Sequence, residues 1–277
     1  MINADSAQVY AGMRVVSAGP SDEDRAAAPH KLYATRDPAL PCSAADWAAM
    51  AKEAISEARD AGLLPILVGG TGLYVRTLLE GIAPVPDIDP EIRAAIRASD
   101  VADNYAALKQ ADPERAAKLD AGDTLRVARA LEVVRSTGKP MAHWQARKEG
   151  GIEGEVALSP LVLLPPREWL EARFEQRFKE MMDEGAVEEV AALLERDLDP
   201  DLPAMRAIGV REVAAFVRGE MTREEAIAAG TLATRQYAKR QYTWFRRQPP
   251  DDWPRFERAL DDMQAMDEAV SILAGGL

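Results

Sequence analysis

The sequence has a single cysteine, Cys42, and two histidines, His30 and His143. An internal disulfide and a cysteine-based zinc site are therefore excluded, and neither histidine has a partner at metal-ligand or triad spacing. No apolar run nears the roughly 20 residues needed to cross a bilayer. The N-terminus, Met-Ile-Asn-Ala-Asp-Ser, lacks the basic start and apolar stretch of a secretory signal. No membrane association is expected, and the cytoplasm is the expected compartment. Aromatic residues make up only 6% of the chain, and strand-like patterns are sparse. Gly-x-x-x-x-Gly-Lys-Ser/Thr and Gly-x-Gly-x-x-Gly are both missing, so no nucleotide site follows from local pattern. The net charge of −12 argues against indiscriminate nucleic-acid binding, which needs Lys and Arg for the phosphates.

What is present is 277 residues, 47% of them hydrophobic and 29% charged, enough to bury a core. Apolar residues recur at helical spacing through most of the second half, which predicts a helix-rich α/β protein. The charge is uneven. Between Arg206 and Arg247 nine basic residues face four acidic ones, a local excess of +5, while residues 180–201 and the tail from Asp251 are acidic. A polarised molecule with one basic face is expected, which leaves specific RNA binding open.

Residues 1–4 read as the end of a strand, with Asp5-Ser6 where it would meet a loop. Ser43 and Asp46 form a capping box, and Trp47, Met50, Ala51, Ala54, Ile55 and Ala58 then predict a helix ended by Gly62. Residues 63–68 read as a buried strand, followed by Gly69-Gly70-Thr71-Gly72 and a second helix through Leu73, Leu78 and Leu79. Prolines 84, 86 and 90 break the pattern and mark a boundary. The predicted division is an α/β core of residues 1–85 and 155–277, with helical C-terminal segments, and an inserted all-helical domain of residues 86–154. Within the insert, helices are expected at 90–98, 103–110, 113–119 and 123–137, the last capped by Asp123 and ended by Gly138. Residues 156–164 read as a strand. Helices are then expected at 167–184, 186–196, 204–218 and 222–248, the last opened by a Thr222/Glu225 capping box.

Several constellations carry two readings each. Residues 69–72 could offer backbone N–H groups to a phosphate or sugar at a sheet edge, or could be a tight turn that needs glycine dihedrals. Asp5 could serve as a general base or cap an Asx turn. Arg126 with Arg129, Arg235 with Lys239, and Arg240 with Arg247 share helix faces, and Tyr237, Tyr242, Trp244 and Phe245 interleave with the latter pairs. This mix suits a nucleic-acid backbone with stacked bases, and equally a solvated basic face over aromatic core residues.

Taken in order, six segments resemble the tRNA dimethylallyltransferase family, from Ala4 to about Arg247. They are Asn3-Ala4-Asp5-Ser6-Ala7-Gln8-Val9-Tyr10; residues 65–74 around Gly-Gly-Thr-Gly; Asp123-x-x-Arg126-x-x-Arg129-Ala130-Leu131-Glu132; Arg177, Met181 and Gly185; residues 206–211; and residues 234–244. The resemblance implies a P-loop-like parallel sheet core with an inserted helical domain. It also implies transfer of a dimethylallyl group from dimethylallyl diphosphate to N6 of adenosine 37 in the tRNA anticodon loop. On that basis Asp5 takes the N6 proton, and Asp5, Ser6, Ala7 and Gln8 hold the flipped adenosine. Thr71, Arg93, Leu125, Arg126, Val127, Ala128, Arg129, Arg206, Ala207, Ile208, Gly209, Val210 and Arg211 contact the tRNA anticodon stem-loop. Arg177 and Arg235 neutralise the diphosphate, which carries Mg²⁺. No protein metal ligand is assigned, and a monomer is expected.

The chain departs from the family in two places. Val210 replaces a Tyr, and residues 11–19 replace a charged Lys-Gly-Met/Leu-Asp-Ile-Gly-Thr-Ala-Lys segment. The family's first strand and phosphate-binding loop, whose Ser/Thr helps hold Mg²⁺, would lie upstream of Asp5. The resemblance therefore implies impaired transfer by the 277-residue form. A non-catalytic tRNA-binding module and an adenylate prenyltransferase are the competing readings. The helical insert and residues 206–211 favour tRNA over free nucleotide.

Overall fold

The computed structural model of the chain describes residues 1–275, which fall into two compact units. One comprises Met1–Leu78 together with the residues from Glu155 on, and the other Leu79–Gly154.

The first unit opens with β1 (Ile2–Asn3), α1 (Asp22–Ala27), α2 (Ala44–Asp60) and β2 (Leu67–Val68), and α3 (Gly72–Glu80) follows. β1 and β2 are parallel, Ile2 opposite Leu67 and Asn3 opposite Val68. Parallel neighbours need a crossover, and α2 supplies it. The helix starts at Ser43, whose hydroxyl accepts from the Asp46 N–H at 3.1 Å while the Asp46 carboxylate accepts from the Ser43 N–H at 2.9 Å. Trp47 of α2 is fully buried. Its indole N–H donates to the Asn3 carbonyl at 2.8 Å, and its ring stacks on Tyr74 of α3 at 4.6 Å. One side chain thus ties β1, α2 and α3 together, and its burial contributes about 2–3 kcal/mol.

The expected buried strand at 63–68 needs correction. Only Leu67 and Val68 are strand, and Leu63, Leu64, Ile66 and Val68 are exposed. β2 pairs with β1 alone among the described residues, so this apolar run has too few neighbours to be covered. Helix α1, whose Ser21/Asp24 capping box is as complete as that of α2, was not expected, because its body has no apolar face.

The second unit holds α4 (Pro90–Ala98), α5 (Val101–Ala111), α6 (Pro113–Ala116), α7 (Thr124–Thr137) and α8 (Met141–Gln145). The carboxylate of Asp123 accepts from the Arg126 N–H at 3.1 Å to start α7, and Gly138 ends it in a left-handed conformation at φ +69°. Ile96, Leu108, Val127 and Leu131 form the centre of this unit's core. Ile88, Val133 and Met141 make a second cluster.

The first unit resumes with β3 (Val162–Leu163), α9 (Arg167–Asp183), α10 (Ala186–Leu194), α11 (Val210–Val217), α12 (Arg223–Arg247), β4 (Arg255–Phe256) and α13 (Met263–Ala274). The strand expected over 156–164 narrows to the two residues that pair, in parallel, with β4. The helix expected over 204–218 begins only at Val210, because Gly209 at φ +94° cannot continue a right-handed helix. Helices α9 and α12 pack closely at Gly230, where a Cβ would overlap the ring of Phe178. The architecture is α/β, with parallel strand pairs in the first unit and a second unit built of helices.

Candidate active site

The turns that follow β1 and β2 are locked to each other at the carboxyl edge of the sheet, where open α/β proteins place ligands. The side chain of Asn3, fully buried, accepts from the Asp5 N–H at 2.7 Å and donates to the carbonyls of Asp5 and Leu32, each at 3.0 Å. The Asp5 carboxylate in turn accepts from the Ala7 N–H at 2.8 Å. Asp5 therefore forms an Asx turn, with its carboxylate at the strand end. The residue keeps partial access to solvent. Burial pushes its pKa above the ordinary aspartate value, opposed by the amides of Ala7 and Gln8 and by the positive charge of Arg177. A carboxylate raised in this way is a stronger base than a solvated one.

Thr71 joins the two turns. Its hydroxyl accepts from the Ser6 N–H at 2.9 Å and donates to the Ser6 hydroxyl at 3.2 Å, and its N–H donates to the Ala4 carbonyl at 3.1 Å. The glycines around it have no positive φ, so the turn does not require glycine dihedrals. They are needed for close approach: a Cβ on Gly69 would overlap the Ala4 backbone, one on Gly70 the Gln241 amide and one on Gly72 the Trp244 ring. Gln241 also donates to the Gly70 carbonyl at 2.9 Å. The turn is a buttress between β1 and α12. The Thr71 amide is spent inside the protein and unavailable to a phosphate.

A pocket of about 230 Å³ is lined by the loop residues Arg14, Val15, Ala18, Gly19 and Ser21 with Asp24, and by Arg177, Glu180, Met181 and Glu184, so that its two arginines stand among three carboxylates. Its loop is held from two sides. The Glu189 carboxylate accepts from the N–H groups of Val15 and Val16 at 2.9–3.0 Å. The Gln8 amide donates to the carbonyls of Ser17 at 3.1 Å and Ala18 at 2.9 Å. Gly209 closes on the same loop, where a Cβ would stand 2.9 Å from Val16. Arg206 and Arg211 flank that contact and are exposed, Ala207 and Ile208 are half-buried, and Val210 is buried. Arg235 is exposed on α12. The interleaved aromatics are half-buried: Trp244 lies against Gly72, Arg167 sits over the Tyr242 ring at 4.8 Å, and Arg240 lies over Tyr237 at 5.5 Å.

In the second unit, Leu125, Arg126 and Arg129 are exposed on α7 and Arg93 on α4, whereas Val127 and Ala128 lie in the core.

A family model described as IPP transferase matches residues 8–248. The chain is 60% identical over 257 residues to a tRNA dimethylallyltransferase of Novosphingobium aromaticivorans, covering 93% of this chain and 92% of that protein. The chain belongs to this family, the tRNA dimethylallyltransferases. Among solved structures it resembles a full-length tRNA isopentenylpyrophosphate transferase from Bacillus halodurans, with 31% identity and a TM-score of 0.67 over 99% of this chain and 88% of that one. A eukaryotic dimethylallyltransferase acting on tRNA gives a TM-score of 0.72 at 25% identity, over 88% of this chain and 62% of the other.

For a member of this family, two supporting residues escaped the sequence reading. Glu189 sits in an acidic helix and Gln241 in a basic one, and neither position carries a pattern that foretells a reach to a distant backbone. Among the described residues no three carboxylate, imidazole or thiolate side chains lie together. Magnesium commonly takes phosphate oxygens and water and few protein ligands.

Proposed function

We propose that the chain transfers a dimethylallyl group from dimethylallyl diphosphate to N6 of adenosine 37 in the tRNA anticodon loop, with Asp5 as general base. The carrying observation is the Asp5 carboxylate: fixed at the sheet edge by backbone amides, raised in pKa by burial, and within the field of Arg177. In this reading the N6 lone pair attacks C1 of the donor and the C1–O bond breaks. The diphosphate leaves with the electron pair, and the N6 proton passes to Asp5. Arg177, beside the pocket, stabilises the negative charge that gathers on the leaving group. The adenine must leave its stack to reach a base so placed, and Ser6, Ala7 and Gln8 form the rim against which it would rest. Magnesium, if carried in on the diphosphate, would supply further positive charge to that group. Exposed Arg93, Arg126, Arg129, Arg206 and Arg211 would contact the RNA backbone, with the protein acting as a monomer in the cytoplasm.

The test is incubation of the chain with dimethylallyl diphosphate, magnesium and an anticodon stem-loop RNA, followed by nucleoside mass analysis. One dimethylallyl group at adenosine 37, and none when guanosine replaces it, is the expected result. Faster transfer to free adenosine monophosphate would make the chain an adenylate prenyltransferase. RNA binding without transfer would make it a binding module.

A further inference from the structure

Arg93 and Arg97 stand four apart on α4, and Arg126, Arg129 and Glu132 stand three apart on α7, so each set shares a helix face. Glu132 is 1% exposed, among apolar core residues of the second unit. One of its oxygens accepts from Arg97 Nε at 3.0 Å. The other has no hydrogen-bond partner and lies 3.9 Å from Arg93 Nε and 3.7 Å from Arg129 Nη1. A carboxylate paired only to hold the fold would be expected to close a two-pronged fork with one arginine, using both oxygens. Here one carboxylate gathers three guanidinium groups, which leaves the group positive. The three side chains remain 45%, 63% and 44% exposed for Arg93, Arg97 and Arg129. Long cationic side chains ordinarily lose rotamer freedom on binding, and a fixed counter-charge beneath them removes part of that cost in advance.

We propose that Glu132 is a positioning residue that sets Arg93, Arg97 and Arg129 as one phosphate-binding cluster for RNA, with Arg97 among its contacts. The inference rests on the tRNA-binding reading above. It differs from a general basic field in the sign of one effect. Removing the Glu132 charge makes the unit more positive, so charge alone predicts tighter RNA binding, whereas positioning predicts weaker binding.

The experiment is fluorescence anisotropy of a labelled anticodon stem-loop RNA with the full chain, donor omitted, over a series of salt concentrations. Arg97→Ala is expected to weaken binding about fivefold and to lower the slope of log affinity against log salt by about 0.7, one phosphate contact. Arg97→Lys should recover the slope and only part of the affinity. Glu132→Gln should weaken binding roughly five- to tenfold. Lys118→Ala, at an exposed cation of the same unit, should change it less than about twofold if the cluster is a site and not a diffuse field. Tighter binding by a folded Glu132→Gln, an unchanged slope in Arg97→Ala, or an equal loss in Lys118→Ala would overturn the proposal. If circular dichroism shows Glu132→Gln unfolded, the Arg97→Ala slope decides. Failure of the unaltered chain to bind the stem-loop would sink the tRNA-binding reading itself, and this inference with it.

Discussion

Asp5 and Glu132 are both carboxylates largely withdrawn from water, but their neighbours differ in kind. Asp5 is met by the N–H groups of Ala7 and Gln8 and by a single, more distant positive charge, Arg177. Glu132 is met by three guanidinium groups. Backbone dipoles orient a carboxylate while leaving it able to take a proton, and partial access leaves room for the group that gives one. Three arginines instead gather around the Glu132 carboxylate, which on the proposal above orders the cations over it. Burial alone therefore does not make an acid a base; the identity of its partners does.

The sharpest way to break the comparison is at Asp5. Asp5→Asn keeps the Asx turn and removes the base, and a fall in transfer rate of about 10³-fold with RNA affinity within about threefold is expected from single-turnover and anisotropy measurements. If Arg177 stabilises the leaving group as proposed, Arg177→Ala should lower the same rate about 10²-fold. Gly69→Ala strikes the scaffold beneath Asp5, because its Cβ would overlap the Ala4 backbone. A loss of about 2–3 kcal/mol in urea denaturation is expected. Ser43→Ala, at the cap of α2, should cost only about 1 kcal/mol and leave the rate per folded molecule unchanged.

Legibility in the sequence divided along similar lines. The capping boxes at Ser43 and Thr222 and the stop at Gly138 were readable because their partners lie within a few residues. Asp5, Thr71 and the arginines were placed by motif order, and the structure hydrogen-bonds Thr71 to Ser6, the residue next to Asp5. The run at 63–68 was misread as buried, since periodicity reports apolarity and says nothing of how many neighbours cover a strand. The 69–72 turn was recognised, but its glycines answer to Ala4, Gln241 and Trp244, contacts that no local pattern encodes. Glu189 was invisible for the same reason, holding Val15 and Val16 from 174 and 173 residues away. Glu132 and Arg129 were legible as parts of one motif, whereas Arg93 and Arg97 join them only when α4 lies on α7.

The central claim, that an ionised Asp5 with a burial-raised pKa takes the N6 proton, is tested most directly by the pH dependence of single-turnover transfer in the unaltered chain and in Arg177→Gln. The rate should fall on the acid side with a midpoint above the ordinary aspartate range. Arg177 favours the charged carboxylate, so removing it should raise the Asp5 pKa further and move that midpoint to higher pH. An acid limb that is missing, or that moves to lower pH in Arg177→Gln, would contradict the account.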